Sequence, residues 1–291
     1  MKPEDGSIRA AKPLSRSRAK RGAAAAVWYL VATSVALFAL LPFFWMIGTS
    51  LKSRGALLAI PIQWIPEAPT FDAYRAVFAL IPFGRAIVNS LIVAAATTLI
   101  TLASSSMAAY AFAKLGTKAT DRLFGLYLAT MMIPMQVTVI PLFILLSKLR
   151  LIGTFGGLLL PSVFNAFAVF MLRQQFLSLP DAYIDAAVID GAGQGRVFAQ
   201  IVLPMCAPVI ATLVVITFMG AWNDYFWPLV VLMDKAKMTL TLALNQLNGQ
   251  YSTRYNTLMA GSLISMLPIL ALYASAQKYF QTGLQLGGIK G

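Results

Sequence analysis

The sequence predicts an all-α membrane protein with six transmembrane helices, and three observations carry the prediction. Charged residues make up only 11% of the 291-residue chain and hydrophobic ones 59%, whereas soluble chains carry about 25% charge. Six stretches of 22 to 30 residues contain no Asp, Glu, Lys or Arg. A helix rising about 1.5 Å per residue needs about 20 residues to cross hydrocarbon, where its backbone must satisfy its own hydrogen bonds. Seven basic residues also crowd into positions 1–21, directly before the first stretch.

The uncharged stretches are 22–51, 86–113, 123–147, 151–172, 197–223 and 255–277. Each is long enough to span once and none long enough to span twice. The first has too long an apolar part for the h-region of a cleavable leader and is read as a retained helix. Residues 1–22 are then a basic tail, and residues 23–291 a six-helix membrane domain.

Six spans place both termini on one side. Lys2, Arg9, Lys12, Arg16, Arg18, Lys20 and Arg21 precede the first span; Lys114, Lys118, Arg122, Arg173, Arg196, Lys278 and Lys290 fall on the same side, which makes fourteen basic residues against nine opposite. A basic flank on the first helix places that side in the cytoplasm. Topology and interfacial anchoring thus account for the +13 net charge without nucleic acid, for which aromatic interleaving and a binding module are both missing.

The chain contains no His, which excludes a Ser-His or Cys-His nucleophile pair and any His-ligated metal. Cys206 is the single cysteine, so no internal disulfide can form. No catalytic residues and no metal site are expected.

Among the loops, the outer segment 52–85 holds Pro61, Pro66, Pro69 and Pro82 beside Trp64, Phe71, Tyr74 and Phe78. It reads as a folded, partly interfacial loop with a short helix over 72–80. The outer segment 234–254 has an uncharged stretch, 238–253, but Asn245, Gln246, Asn248, Gly249, Gln250 and Ser252 argue against lipid exposure, so it reads as a re-entrant or surface helix. All loops assigned to the outside, including Lys148 and Arg150 between the third and fourth spans, carry nine basic residues against Glu67, Asp72 and Asp234. That balance would suit an acidic oligosaccharide or an acidic binding protein through long-range attraction, though anchoring to anionic lipid and stray surface charge is the simpler reading.

The loop 177–204, LSLPDAYIDAAVIDGAGQGRVFAQIVLP, is the most informative cytoplasmic piece. Ser178 followed by Asp181 has capping-box spacing and Pro180 suits a first turn, which starts a helix. Tyr183, Ile184, Ala187 and Val188 form an apolar face on it. Gly191, Gly193 and Gly195 break the helix, and a second amphipathic turn with Val197, Phe198, Ile201 and Val202 leads to Pro204. Spacing alone does not choose between a helix lying on the bilayer and one docking a soluble partner.

This loop resembles the EAA loop of ABC importer permeases, roughly E-A-A-x-x-D-G-A followed by a Pro. Here it stands as Asp185, Ala186, Ala187, Val188, Ile189, Asp190, Gly191 and Ala192, closed by Pro204. Asp185 replaces the usual Glu and is one methylene shorter. The stretch MGAWNDYFWPLV at 219–230 and the ending QKYFQTGLQLGGIKG, with Gly287, Gly288, Lys290 and Gly291 at its close, resemble the MalG-like carbohydrate-uptake branch.

The resemblance implies a type I ABC importer transmembrane domain that moves a sugar or oligosaccharide. It also implies the partners: a second permease subunit, two ATPase subunits and an extracytoplasmic solute-binding protein. ATP and Mg would be bound by the ATPase subunits; the chain has no G-x-x-x-x-G-K-[ST] loop and needs no cofactor of its own. In this reading Tyr183, Ile184, Asp185, Ala186, Ala187, Asp190, Gly191, Ala192 and Pro204 form the ATPase-docking loop, with Val188 on its apolar face and Gly191 at the bend.

Polar residues within the spans are candidates for the pathway: Asn89, Gln136, Asn165, Asn223 and Asp224. Interhelical hydrogen bonding is the ordinary role of such residues. Asp224 stands out as the one carboxylate able to lie at membrane depth, unless it sits at the outer end of its span. A secondary transporter would need an ion site near the midplane, for which only Asp224 is available; a non-transport membrane scaffold is opposed by the loop signature alone.

Overall fold

The computed structural model describes the backbone of residues 15–58, 60–248 and 254–287; expectations placed on residues 1–14, on Gly249, Gln250 and Ser252, and on Gly288, Lys290 and Gly291 lie outside them. The chain runs through α1 (Ser15–Ser50), α2 (Asp72–Leu80), α3 (Phe83–Lys114), α4 (Lys118–Ala129), α5 (Met135–Lys148), α6 (Phe155–Leu159) and α7 (Ala166–Leu177). It continues through α8 (Asp181–Ile189), α9 (Gln194–Val197), α10 (Leu203–Met205), α11 (Ala207–Asn223), α12 (Phe226–Val231), α13 (Leu240–Asn245) and α14 (Tyr255–Gly287).

Four stretches are apolar and long enough to span: residues 24–50, 83–114, 255–277 and 155–177, the last running through α6 and α7. The other two are broken. Residues 119–132 and 135–148 meet at 101°, and residues 194–205 and 207–223 at 79°. Uncharged length gives no sign of a bend, but proline does. Pro134 and Pro208 each lack the N–H that would continue the helix, and each ring crowds the carbonyl one turn back. A bend that frees backbone groups inside a bilayer is tolerated only where protein or water covers them.

Helix α3 is the axis on which the rest packs. Its buried positions include Ala86, Ser90, Ala94, Thr98, Thr101, Ser105 and Ala109, a row of small side chains at three- and four-residue spacing. Small residues let neighbouring backbones approach closely where lipid supplies no hydrophobic drive between helices, and α7 and α11 both lie against this helix. Thr101 adds a cross-link, its hydroxyl donating to the Ser162 carbonyl at 3.0 Å.

Helix α1 leans on α14 and buries only its last residues, Gly48, Thr49 and Ser50. There the outer loop closes over it. A Cβ on Gly48 would stand 2.5 Å from the Trp64 carbonyl oxygen, so this crossing requires glycine. Trp64 packs edge-on against Trp45 at 5.1 Å, and the buried Lys52 lies over the Trp45 ring while donating to the Gln63 carbonyl. The expected short helix over 72–80 is α2, which buries Ala73 and Val77.

The segment 234–248 packs into the bundle against α3. Its α13 buries Leu240, Leu242 and Ala243, and α3 supplies the polar groups that satisfy its backbone. Asn89 Nδ2 donates to the Ala236 and Met238 carbonyls at 3.0 and 2.9 Å, and Ser90 Oγ accepts from the Leu240 amide at 2.7 Å.

Candidate coupling loop and central cavity

At one end of the bundle α7 hands over to α8. The expected capping box is not formed: the Ser178 hydroxyl donates back to the Gln175 carbonyl at 2.7 Å, closing α7, and Pro180 occupies the N-cap of α8 without a side-chain bond. Asp181 instead receives Lys114 from the end of α3, at 2.6 Å. The same ammonium donates to the Leu179 carbonyl at 3.2 Å. A second tie runs from the Tyr110 hydroxyl to Gln194 Oε1 at 2.7 Å. Lys114, Tyr110, Asp181 and Gln194 thus hold the loop at both ends. Sequence reading missed these pairs because local spacing already offered Asp181 a capping role; the signal available was Lys114, a lone cation closing an apolar span.

Helix α8 ends in a Schellman motif, with the Gly191 amide bonded to the Val188 carbonyl at 3.0 Å and the Ala192 amide to the Ala187 carbonyl at 2.9 Å. Gly191 has φ 82°, in the left-handed region that glycine enters without cost. Gly193 precedes α9, whereas Gly195 lies inside it rather than breaking it.

The apolar face read on α8 is split. Ile184, Ala187 and Ala192 pack inward, on a core that contains Tyr110, Phe176, Val197 and Val202. Tyr183, Val188 and Ile189 face outward, Ile189 with 84% of its surface exposed. Asp185, Ala186, Asp190, Gly191 and Pro204 are exposed with them. The structure's own helices claim half of the face because α3 and α7 arrive from beneath, which spacing along α8 cannot reveal. Lys114→Met should loosen this end of α8: its partner Asp181 is 77% exposed, so the ion pair is worth about 0–1 kcal/mol, and the Leu179 carbonyl loses its donor as well. Hydrogen exchange of α8 amides in the purified permease should rise, while α3 and α7 stay protected.

Residues from α3, α5, α6, α7, α11 and α12 line a half-open cavity of about 380 Å³ in the bundle. Asn165 and Asp224 both line it. Asn165 Oδ1 caps α7 by accepting from the Ala168 amide at 2.9 Å, and Asp224 Oδ1 accepts from the Trp227 amide at 3.2 Å. Helix ends position both side chains. Of the other pathway candidates, Asn89 is committed to the segment 234–248, Asn223 is exposed and away from the cavity, and Gln136 is exposed beside Met135, which does reach the wall. Thr97, Thr217 and Trp227 are lining residues that sequence reading overlooked; polar residues were sought by amide or charge, and hydroxyls within spans look like ordinary helix packing. At the C-terminus, Gly287 ends α14.

A family model described as a binding-protein-dependent transport system inner membrane component matches residues 101–285. The chain belongs to that family. Among its relatives in it, the arabinooligosaccharides transport system permease protein AraQ of Bacillus subtilis (strain 168) is 35% identical over 261 residues, spanning 88% of this chain and 92% of that protein. The lactose transport system permease protein LacG of Rhizobium radiobacter is 32% identical, over 91% and 96%.

Among solved structures, a chain of a bacterial ABC transporter involved in import of the acidic polysaccharide alginate aligns with TM-score 0.79 and 25% identity, over 93% of this chain and all of that one. The same kind of transporter, in complex with an alginate pentasaccharide-bound periplasmic protein, shares the fold at TM-score 0.62 and 18% identity, over 86% and 92%. The permease is therefore a multi-pass inner-membrane subunit with the type I importer fold. Its family comprises transport subunits, not enzymes.

Proposed function

We propose that this permease is one transmembrane half of an ATP-driven importer for a saccharide. It pairs with a second permease, takes its energy from two ATPase subunits that bind ATP and Mg, and receives its cargo from an extracytoplasmic binding protein. The carrying observation is the α8–Gly191–α9 loop: an exposed Tyr183, Val188 and Ile189 on an element tied to α3 by Lys114 and Tyr110. An apolar surface fixed rigidly to the span bundle is suited to transmit the movement of a soluble subunit. Saccharide cargo is supported by what the relatives named above transport.

In this reading both termini, the basic tail 1–22 and the loop 177–204 face the cytoplasm, and the segments 52–85 and 234–254 face outward to receive the binding protein. Closure of the ATPase dimer moves α8; because α9 and α10 lead directly into α11, the central cavity then changes access. ATP biases one state and loaded binding protein the other. Asn165 and Asp224 stand on the pathway between them, and membrane lipid covers the remaining apolar surface.

Two measurements test the proposal. Purification of the tagged permease should retain a P-loop ATPase and a second permease, and the reconstituted complex should hydrolyse ATP faster when saccharide-loaded binding protein is added; failure to retain either subunit would sink it. Orientation is read by cysteine labelling in a Cys206→Ser background. Thr117→Cys and Gln194→Cys should react from the cytoplasmic side, Pro69→Cys and Lys235→Cys from outside. Reaction of Gln194→Cys and Lys235→Cys from the same side would end the six-span arrangement.

A further inference from the structure

We propose that the central cavity takes an uncharged saccharide and that Asp224 discriminates against uronic-acid saccharides. This rests on the importer reading above and narrows its substrate class. Among the described residues, Asp224 is the only charged one lining the cavity, and no Lys or Arg lines it. Asn165 spends its carbonyl on the α7 cap, which leaves its amide donors for a ligand. Thr97 and Thr217 add hydroxyls, and Trp227 and Phe167 add aromatic surface. A carboxylate and an amide beside aromatic rings match the two sides of a neutral sugar: hydroxyls donate to the carboxylate and accept from the amide, and the C–H face of the ring lies on apolar surface. A uronate would bring a second carboxylate beside Asp224 in a partly dehydrated space, where like charges repel far more strongly than in water.

The basic residues of the outer segments do not supply the missing cation. Lys52 is buried and donates to the Gln63 carbonyl, and Lys237 donates to the Gly153 carbonyl at 2.8 Å. Arg75 stands 3.8 Å from Asp72, while Arg54 and Arg254 line a separate cavity with that same Asp72. None of the nine outer basic residues is among those lining the cavity, so their positive balance is no argument for an acidic cargo there.

The experiment uses the complete importer in proteoliposomes, with binding protein, and a panel of neutral arabino-, galacto- and gluco-oligosaccharides against oligouronates of matched length. At least one neutral sugar should enter, at ten or more times the rate of every uronate. Asp224→Asn keeps the acceptor that caps Trp227 but removes the charge; it should lower neutral uptake and move the neutral-to-uronate ratio at least tenfold toward the uronate, which a purely structural loss would not do. Faster uptake of a uronate than of any neutral sugar by the unaltered complex would overturn the inference while leaving the importer reading intact, as would a ratio unmoved in Asp224→Asn. Uptake of no saccharide of either kind, with no stimulation of ATP hydrolysis, would overturn the importer reading and this inference with it.

Discussion

Gly191→Val should abolish coupling while leaving the permease assembled. A Cβ built on Gly191 meets nothing within 4 Å, so valine would not clash; the cost lies wholly in the backbone. At φ 82° an L-residue is disfavoured by about 1–2 kcal/mol, and a β-branched one by more. Since 1.4 kcal/mol is about a tenfold change in an equilibrium constant, the bend between α8 and α9 would shift about tenfold toward other conformations. The Ala192–Ala187 and Gly191–Val188 bonds would go with it. Transport and binding-protein-stimulated ATP hydrolysis should both fall about tenfold or more, with membrane insertion and pairing to the second permease unchanged. Gly191→Asn is the control, because asparagine tolerates the left-handed region; it should keep most of the activity. Equal activity of the Val and Asn variants at the unaltered level would show that this bend does not carry coupling.

That bend was legible in the sequence, and the reasons mark where sequence reading stops. A glycine after a helix of nine residues announces a left-handed cap by local chemistry alone, as the prolines around 72–80 announce a short isolated helix. The uncharged runs were equally legible, since lipid acts on every residue of a span. What failed was whatever depended on a partner distant in sequence. Ser178 and Asp181 have the spacing of a cap, yet Lys114, on another helix, takes the aspartate. Ile184 and Val188 sit on one stripe of α8, yet the core built by Tyr110 and Phe176 claims only Ile184. Asn89, Asn165 and Asp224 are similar polar interruptions of apolar spans. One secures the segment 234–248 and two face a cavity, a difference set by which backbone groups lie opposite.

The split of the α8 face leads to the sharpest test of the docking surface. Ile189 is almost fully exposed on the isolated permease. If it enters a groove on the ATPase, its burial contributes about 1.5–3 kcal/mol, and an aspartate there would add an unpaired charge at the interface. Ile189→Asp should therefore cut ATPase retention on purification by about tenfold or more without lowering the thermal stability of the permease. Ile184→Asp should do the opposite first: its partly buried side chain packs beside Ala187 on the core beneath α8, so a carboxylate there is a partly desolvated charge against apolar neighbours and should lower the melting temperature of the detergent-purified permease itself. Measuring both variants by co-purification and by thermal unfolding separates docking from packing. A helix that merely lies on the bilayer predicts another pattern, in which Ile189→Asp changes membrane association but not ATPase retention. Undiminished ATPase retention in Ile189→Asp, with the subunit ratio of the unaltered complex, would remove the outward face of α8 as the docking surface.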